Sequence, residues 1–159
     1  MNKTPLSLIL PDIRSAMNIG AIFRTADAVG AEKIYLSGYS ATPMHPKVVK
    51  TAIGSEETVP WEYINNTNDL IQKKKEQGYQ IIGLEYNPKA KKIWETDFMF
   101  PVALIVGNEI HGIPEDQLEL CDKIVYIPML GKKESLNVAT ATGIAVYKIL
   151  ERYLLASKK

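Results

Sequence analysis

Arg24 follows Asn18 by six positions in the segment Asn18-Ile19-Gly20-Ala21-Ile22-Phe23-Arg24. At ~3.6 residues per turn it stands almost two turns further along a helix, on a partly different face. An asparagine at a helix start either caps the helix or turns its side chain into a cleft. A guanidinium either solvates a helix surface or grips a phosphate in fork geometry. Gly20, between the two, admits a ligand or another backbone at close range.

Two further segments carry candidate chemistry. In Leu104–Pro114 an apolar run leads directly into Gly107-Asn108-Glu109, and Gly112 follows after Ile110 and His111. Two glycines in a strand-to-helix loop suggest backbone close to a ligand, or an ordinary tight turn. The segment lacks the Gly-Lys-Ser/Thr ending of a P-loop and the Gly-x-Gly-x-x-Gly of a dinucleotide fold. His111 reads as a surface or helix-start histidine. In Ile127–Asn137 a strand ends at Pro128, a loop carries Gly131, Lys132 and Lys133, and Ser135-Leu136-Asn137 opens a helix. Ser135 needs no role beyond that of its N-cap. The next residues, VATATGIAV, are apolar or small nearly all round, which fits a buried helix or a subunit interface.

These segments need strands and helices to hold them. Leu6–Leu10 reads as a short buried strand stopped by Pro11. Asn18–Val29 has helical period, with Ile19, Ile22, Phe23, Ala26 and Val29 on one face and Gly30 as its C′ residue. Further strands are expected at Lys33–Ser37, Gln80–Leu84, Val102–Val106 and Lys123–Ile127. Helices are expected at Pro46–Ile53 ending at Gly54, from a cap at Thr67 or Asn68 to Gly78, after Pro114, and over Leu136–Leu155. The Lys73–Glu76 run reads as a solvated face. Strands alternating with helices indicate an α/β fold, a mostly parallel sheet with helices on both faces. Ligands of such sheets sit beyond the carboxyl ends of the strands, where all three segments fall.

The 159 residues, 46% of them hydrophobic, suffice for one core, so a single domain over 1–159 is expected. A net charge of +1 argues neither for nor against nucleic acid. Cys121 alone excludes an intramolecular disulfide, and beside only His45 and His111 it leaves no Cys/His zinc site; no metal is expected. Leu6–Leu10 is too short for a signal h-region, and no apolar run approaches the ~20 residues of a membrane helix. A cytoplasmic protein without membrane association is the simplest expectation.

Together and in this order, NIGAIFRTADAVGA (Asn18–Ala31), LIVGNEIHGIP (Leu104–Pro114) and IPMLGKKESLNVATATGIAVY (Ile127–Tyr147) resemble the motifs of the SPOUT superfamily of RNA methyltransferases, in its TrmH/SpoU branch. The resemblance spans about residues 5–155. It implies a C-terminal deep trefoil knot, which no sequence period reveals. It also implies an S-adenosyl-L-methionine (SAM) pocket made by Leu84, Gly107, Glu109, Ile127, Met129, Ser135 and Leu136, chiefly through backbone groups. Members act as homodimers in which the arginine of the first motif faces the pocket of the other subunit. No separate RNA-binding extension is expected, which would leave target choice to the domain surface, the dimer or an accessory protein.

The implied reaction is methyl transfer from SAM to a ribose 2′-hydroxyl of a structured RNA, with tRNA preferred to rRNA. The implied catalytic residues are Arg24, Asn18, Glu109, Ser135 and Asn137. A guanidinium stays protonated, so Arg24 is expected to grip the adjacent phosphate and orient the hydroxyl rather than act as a plain base. Arg14, Arg24, Lys47, Lys50, Lys132 and Lys133 can form an RNA-binding rim, or be scattered solubilising charge. Cys121 lies outside the motifs and is expected to be structural, against the cysteine chemistry of pyrimidine carbon-5 methylation. Three alternatives stay open: base methylation such as guanosine N1 in the same superfamily, a non-catalytic SAM- or RNA-binding module, and a Rossmann-type dehydrogenase, the last disfavoured by the missing glycine fingerprint.

Overall fold

Leu8 and Leu10 point to one face of the first strand and Ile9 to the other, and all three are fully buried. A strand apolar on both sides must be covered on both sides, which sets the three-layer architecture. The computed structural model describes residues 3–158. Its first half runs β1 (Thr4–Pro11), α1 (Ala16–Ala28), β2 (Ala31–Ser37), α2 (Pro46–Ala52), α3 (Ser55–Thr58), β3 (Trp61–Ile64) and α4 (Thr67–Glu76). The second half runs β4 (Gln80–Leu84), β5 (Lys91–Lys92), a 3-10 turn (Ile93–Glu95), β6 (Val102–Val106), α5 (Glu115–Leu120), β7 (Lys123–Tyr126) and α6 (Val138–Ala156).

The seven strands form one sheet in the order β3-β2-β1-β6-β4-β7-β5, and every pairing is parallel. One face buries Ile19, Ile22 and Phe23 of α1, Val48 of α2 and Val146 and Ile149 of α6 against Leu6, Leu8, Leu104 and Val106. The other buries Leu70 and Ile71 of α4 and Leu118 of α5 against Ile9, Ile81, Ala103 and Ile105. Because the strands are parallel, the segments after β1, β2, β4, β6 and β7 all emerge at one edge. From β7 the chain crosses that edge, past β4 and β6, and Asn137 meets Asn18 near the start of α1.

Several local expectations change. Pro11 ends β1 from within: pairing with β6 stops at Ile9, whereas pairing with β2 continues to Ser37, so the missing N–H faces a side with no ladder. Helix α2 ends one residue early because Ile53 takes a left-handed conformation (φ 53°), and Gly54 opens α3. Asn66, rather than Thr67 or Asn68, caps α4 by accepting from the Asp69 N–H. Pro114 lies just before α5, not within its first turn. The strand Trp61–Ile64 escapes the sequence reading because its side chains are half-buried or exposed at the sheet edge. Helix α6 buries Thr142, Ala145, Val146 and Ile149 but leaves Tyr147, Leu154 and Leu155 about half exposed, so within one chain it is not buried all round. Among the described residues no helix is long and apolar enough to cross a membrane.

Candidate active site

The loop after β6 folds back on itself. Asn108 and Gly112 exchange backbone hydrogen bonds of 3.2 and 3.0 Å. The Asn108 side chain holds the turn: its Oδ1 accepts the Ile110 and His111 N–H groups at 2.8 Å. Its Nδ2 donates to the Asp12 carbonyl and the Tyr39 hydroxyl, both at 2.7 Å. Every polar valence of this buried amide is used, as burial demands. A Cβ on Gly107 would stand 2.6 Å from the Gly112 carbonyl carbon, and one on Gly112 (φ 69°) would strike the Glu85 carboxylate. The glycine signal therefore arises from the loop's own tight return. Gly20 likewise serves a neighbour in the chain: a Cβ there would meet Thr51 and the Val48 carbonyl of α2.

The turn aims Glu109 at the start of α1. Its Oε1 accepts the Arg14 N–H at 2.8 Å, and its Oε2 accepts the Ser15 N–H at 2.9 Å and the Asn18 Nδ2 at 3.1 Å. Burial pushes this carboxyl up. The Arg14, Ser15 and Glu109 N–H groups and the Asn18 amide outweigh it, and the net value lies below the ordinary carboxylate range. A carboxylate here also complements the positive end of the helix. Ser15 is the N-cap, and its Oγ accepts from the Asn18 N–H. Asn18 sits one turn inside α1, and neither caps it nor points freely into a cleft. Its Oδ1 accepts from Asn137 Nδ2 at 3.1 Å. Asn137 in turn caps α6, accepting from the Ala139 and Thr140 N–H groups; Ser135 does not take that place. The relay Glu109–Asn18–Asn137 thus joins all three motif segments, up to 119 residues apart in sequence.

Beside the relay lies a cleft over the ends of β4, β6 and β7. Leu84, Gly107, Glu109, Ile127, Met129, Ser135 and Leu136, the seven expected cofactor residues, all line it. Tyr86 and Tyr126 also line it, edge to face at 5.2 Å, as do Glu85 and Glu134. Its walls combine apolar surface from Leu84, Val106, Ile127 and Leu136 with carboxylates at Glu85, Glu109 and Glu134. That combination of apolar walls and acceptors suits a flat heteroaromatic ring joined to a cationic group.

Other expected site residues stand apart. Arg24 is exposed, does not line the cleft, and has no hydrogen bond or ion pair among the described residues. Six helical residues carry it ~9 Å along α1 from Asn18. Arg14 contributes its backbone N–H while its side chain is exposed. Lys47 and Lys50 are exposed on α2, and Lys132 and Lys133 are exposed next to Glu134 at the cleft. Cys121 lies behind β4, its thiol donating to the Gln117 carbonyl at 3.4 Å. Burial, with the Asp122 carboxylate, pushes it up to about 12, far from a reactive thiolate. The sequence reading did not single out Asn108, Glu85 or Tyr39. Asn108 was within sight, between the glycine and the glutamate of its motif. Tyr39 carries no local signal, since its partner Asn108 is 69 positions away.

The likeness to known proteins covers the same framework. Residues 5–147 match the SpoU rRNA methylase family. The 23S rRNA (guanosine-2′-O-)-methyltransferase of Ralstonia nicotianae is 32% identical over 93% of this chain and 59% of its own length. The tRNA (guanosine(18)-2′-O)-methyltransferase of Aquifex aeolicus is 34% identical over 90% of this chain and 67% of its own. The structure of the AdoMet-bound rRNA methyltransferase from Sinorhizobium meliloti aligns with a TM-score of 0.88 and 31% identity, over 96% of this chain and 58% of that one. This chain thus spans about three fifths of the length of the two rRNA enzymes. With the match running through all three motif segments and the sheet that carries them, the chain belongs to the SpoU rRNA methylase family.

Proposed function

We infer that the protein transfers the methyl group of SAM to a ribose 2′-hydroxyl of RNA, with tRNA preferred to rRNA as the target. The observation that carries this reading is the Glu109–Asn18–Asn137 relay, which fixes three loops around one cleft. The cleft suits the cofactor: apolar walls for an adenine, and carboxylates for a sulfonium and an ammonium. Leu84, Gly107, Ile127, Met129 and Leu136 would hold the ring, and Glu85, Glu134 and Ser135 the polar groups. When bound, the cofactor supplies an electrophilic methyl group.

The chain's own residues have three tasks. The relay keeps the loops at one spacing, so that a nucleophile and a methyl group can align. Arg24 grips the phosphate next to the target ribose and orients its hydroxyl, whose proton passes to that phosphate or to solvent as the new oxygen–carbon bond forms. Ser135, with no hydrogen bond to its side chain among the described residues, offers a donor and an acceptor at the cleft wall. Since Arg24 is ~9 Å along α1 from its own relay, the reading requires a second copy to bring it to a cleft. The half-exposed Tyr147, Leu154 and Leu155 of α6 are available for such a homodimer. Asn18, Glu109 and Asn137 are then positioning residues. We further infer that the chain between β7 and α6 is threaded as a deep trefoil knot, that no metal takes part, and that the enzyme works in the cytoplasm. Lys47, Lys50, Lys132 and Lys133, with Arg14, would line the RNA path, and an accessory protein could add to that surface.

The test is mapping of nuclease-resistant 2′-O-methyl linkages in RNA from cells with and without the protein. A site lost with the protein supports the reading. A lost base methylation with every ribose methylation retained would overturn it.

A further inference from the structure

Lys74 belongs to the lysine run of α4, yet it is only 7% exposed. Its Nζ lies 4.8 Å from the centre of the Tyr35 ring and 4.5 Å from that of Tyr79. Among the described residues the ammonium makes no hydrogen bond and no ion pair. Aromatic faces attract a cation, but they do not accept three strong N–H donors. The stem is buried while the ammonium keeps contact with the water of a cleft, where a cation held between two rings is placed to meet an anion.

The ammonium faces a cleft between α4 and the β2–β3 edge, lined also by Lys33, Glu62, Asn66, Asp69 and Lys73. Glu62 is held by Lys33 at 2.9 Å, so that pair is neutralised. The Asn66 oxygen is committed to the cap of α4, which leaves its amide N–H groups turned to other uses. Lys73 is exposed at the rim. What the cleft leaves open is a set of donors around a positive charge in its wall, with Asp69 as the one lining carboxylate not paired with a lysine. Such a set fits a small oxyanion.

We propose that the cleft between α4 and the β2–β3 edge is an anion site that takes a phosphoryl group, with the Lys74 ammonium as its inner ligand. Lys73, the neighbouring residue of α4, closes over the outer oxygens. Asn66 follows β3, whose end pairs with Ser37, so the Asn66 end of the cleft lies at the same sheet edge as the motif loops, with Lys74 ~12 Å further along α4. Three strand spacings separate β3 from β6, or ~14 Å. A phosphodiester of RNA bound at the motif loops and a free phosphorylated ligand can both present this chemistry. The site does not depend on the methyl-transfer reading.

The test is NMR of the lysine ammonium groups of the whole protein, titrated with inorganic phosphate at constant ionic strength against chloride. A saturable shift of the Lys74 ammonium and of the Tyr35 and Tyr79 rings, produced by phosphate and not by chloride, is expected. Lys73→Gln should weaken it several-fold, and Lys74→Met should abolish it, while Lys50→Ala leaves it intact. The wild-type titration decides the matter even where Lys74→Met fails to fold. No saturable shift, the same shift with chloride, or a shift of the tyrosine rings that survives in folded Lys74→Met overturns the proposal. Displacement of phosphate by an RNA oligonucleotide supports it and assigns the ligand to an RNA backbone; binding without displacement supports it and assigns a free phosphorylated ligand.

Discussion

Glu109 and Arg24 are the charged residues of two motif segments, and the fold treats them in opposite ways. Glu109 is half-buried and receives the Arg14 and Ser15 N–H groups and the Asn18 amide. Arg24 stands in solvent with no partner among the described residues. One chain fully explains the first and leaves the second without a task. The contrast separates residues that build the site from the one that the proposed function assigns to a partner outside the chain, and each kind should fail in its own way.

The largest effect is expected at Arg24. Arg24→Ala should lower methyl transfer ~100-fold or more, the scale of losing one charge-stabilising donor. Its melting temperature and SAM affinity should stay near those of the wild type, as measured by scanning fluorimetry and calorimetry. Glu109→Ala should do the reverse of that pattern. Three donors lose their acceptor, so stability should fall by ~1–3 kcal/mol in denaturant unfolding, and SAM binding should weaken with it.

The two residues also differ in their response to acid. The Glu109 carboxyl titrates below its ordinary value of 4.5 in the folded chain. Its contribution is therefore complete above that value and disappears as the pH falls through the lowered one. Unfolding followed between pH 6 and pH 3 should show a wild-type loss that Glu109→Gln largely lacks. A smaller effect is expected from Lys132→Ala with Lys133→Ala: RNA affinity should fall and its salt dependence flatten by about two counter-ions. The smallest is Cys121→Ser. A half-buried thiol pushed up to about 12 is no nucleophile, and the variant should transfer methyl groups at the wild-type rate.

The same contrast explains what the sequence made legible. The strands Gln80–Leu84 and Val102–Val106 have the expected bounds because central parallel strands are continuous apolar runs. The edge strand Trp61–Ile64 was invisible because half its side chains face water. All seven residues expected around a cofactor line one cleft: Leu84 closes β4, Gly107, Glu109, Ile127 and Met129 follow strand ends, and Ser135 and Leu136 come from the long loop before α6. Their roles were less legible. The glycines of the β6 loop left open a nearby ligand or a tight turn; they line the cleft and also make room for the loop's own return and for Glu85. Asn18 read as a cap or as a side chain turned into a cleft and is a bridge, because its two partners come from loops 91 and 119 residues away. Lys74 looked solvated within its lysine run and is buried against two tyrosines contributed by other strands and loops. Periodicity places an element; it carries no information about which distant side chain arrives beside it.

The central claim is that Arg24 completes the cleft of a second copy, and mixed dimers test it most directly. Arg24→Ala would be mixed and reassembled with Ser135→Trp, a substitution that blocks the cleft and leaves Arg24 intact. Each variant alone should be almost inactive. In random one-to-one dimers, the intact arginine of one subunit would meet the intact cleft of the other, restoring about one quarter of wild-type transfer. A mixture that forms mixed dimers and stays as inactive as its parents would contradict the account, and would return Arg24 to the surface of its own chain.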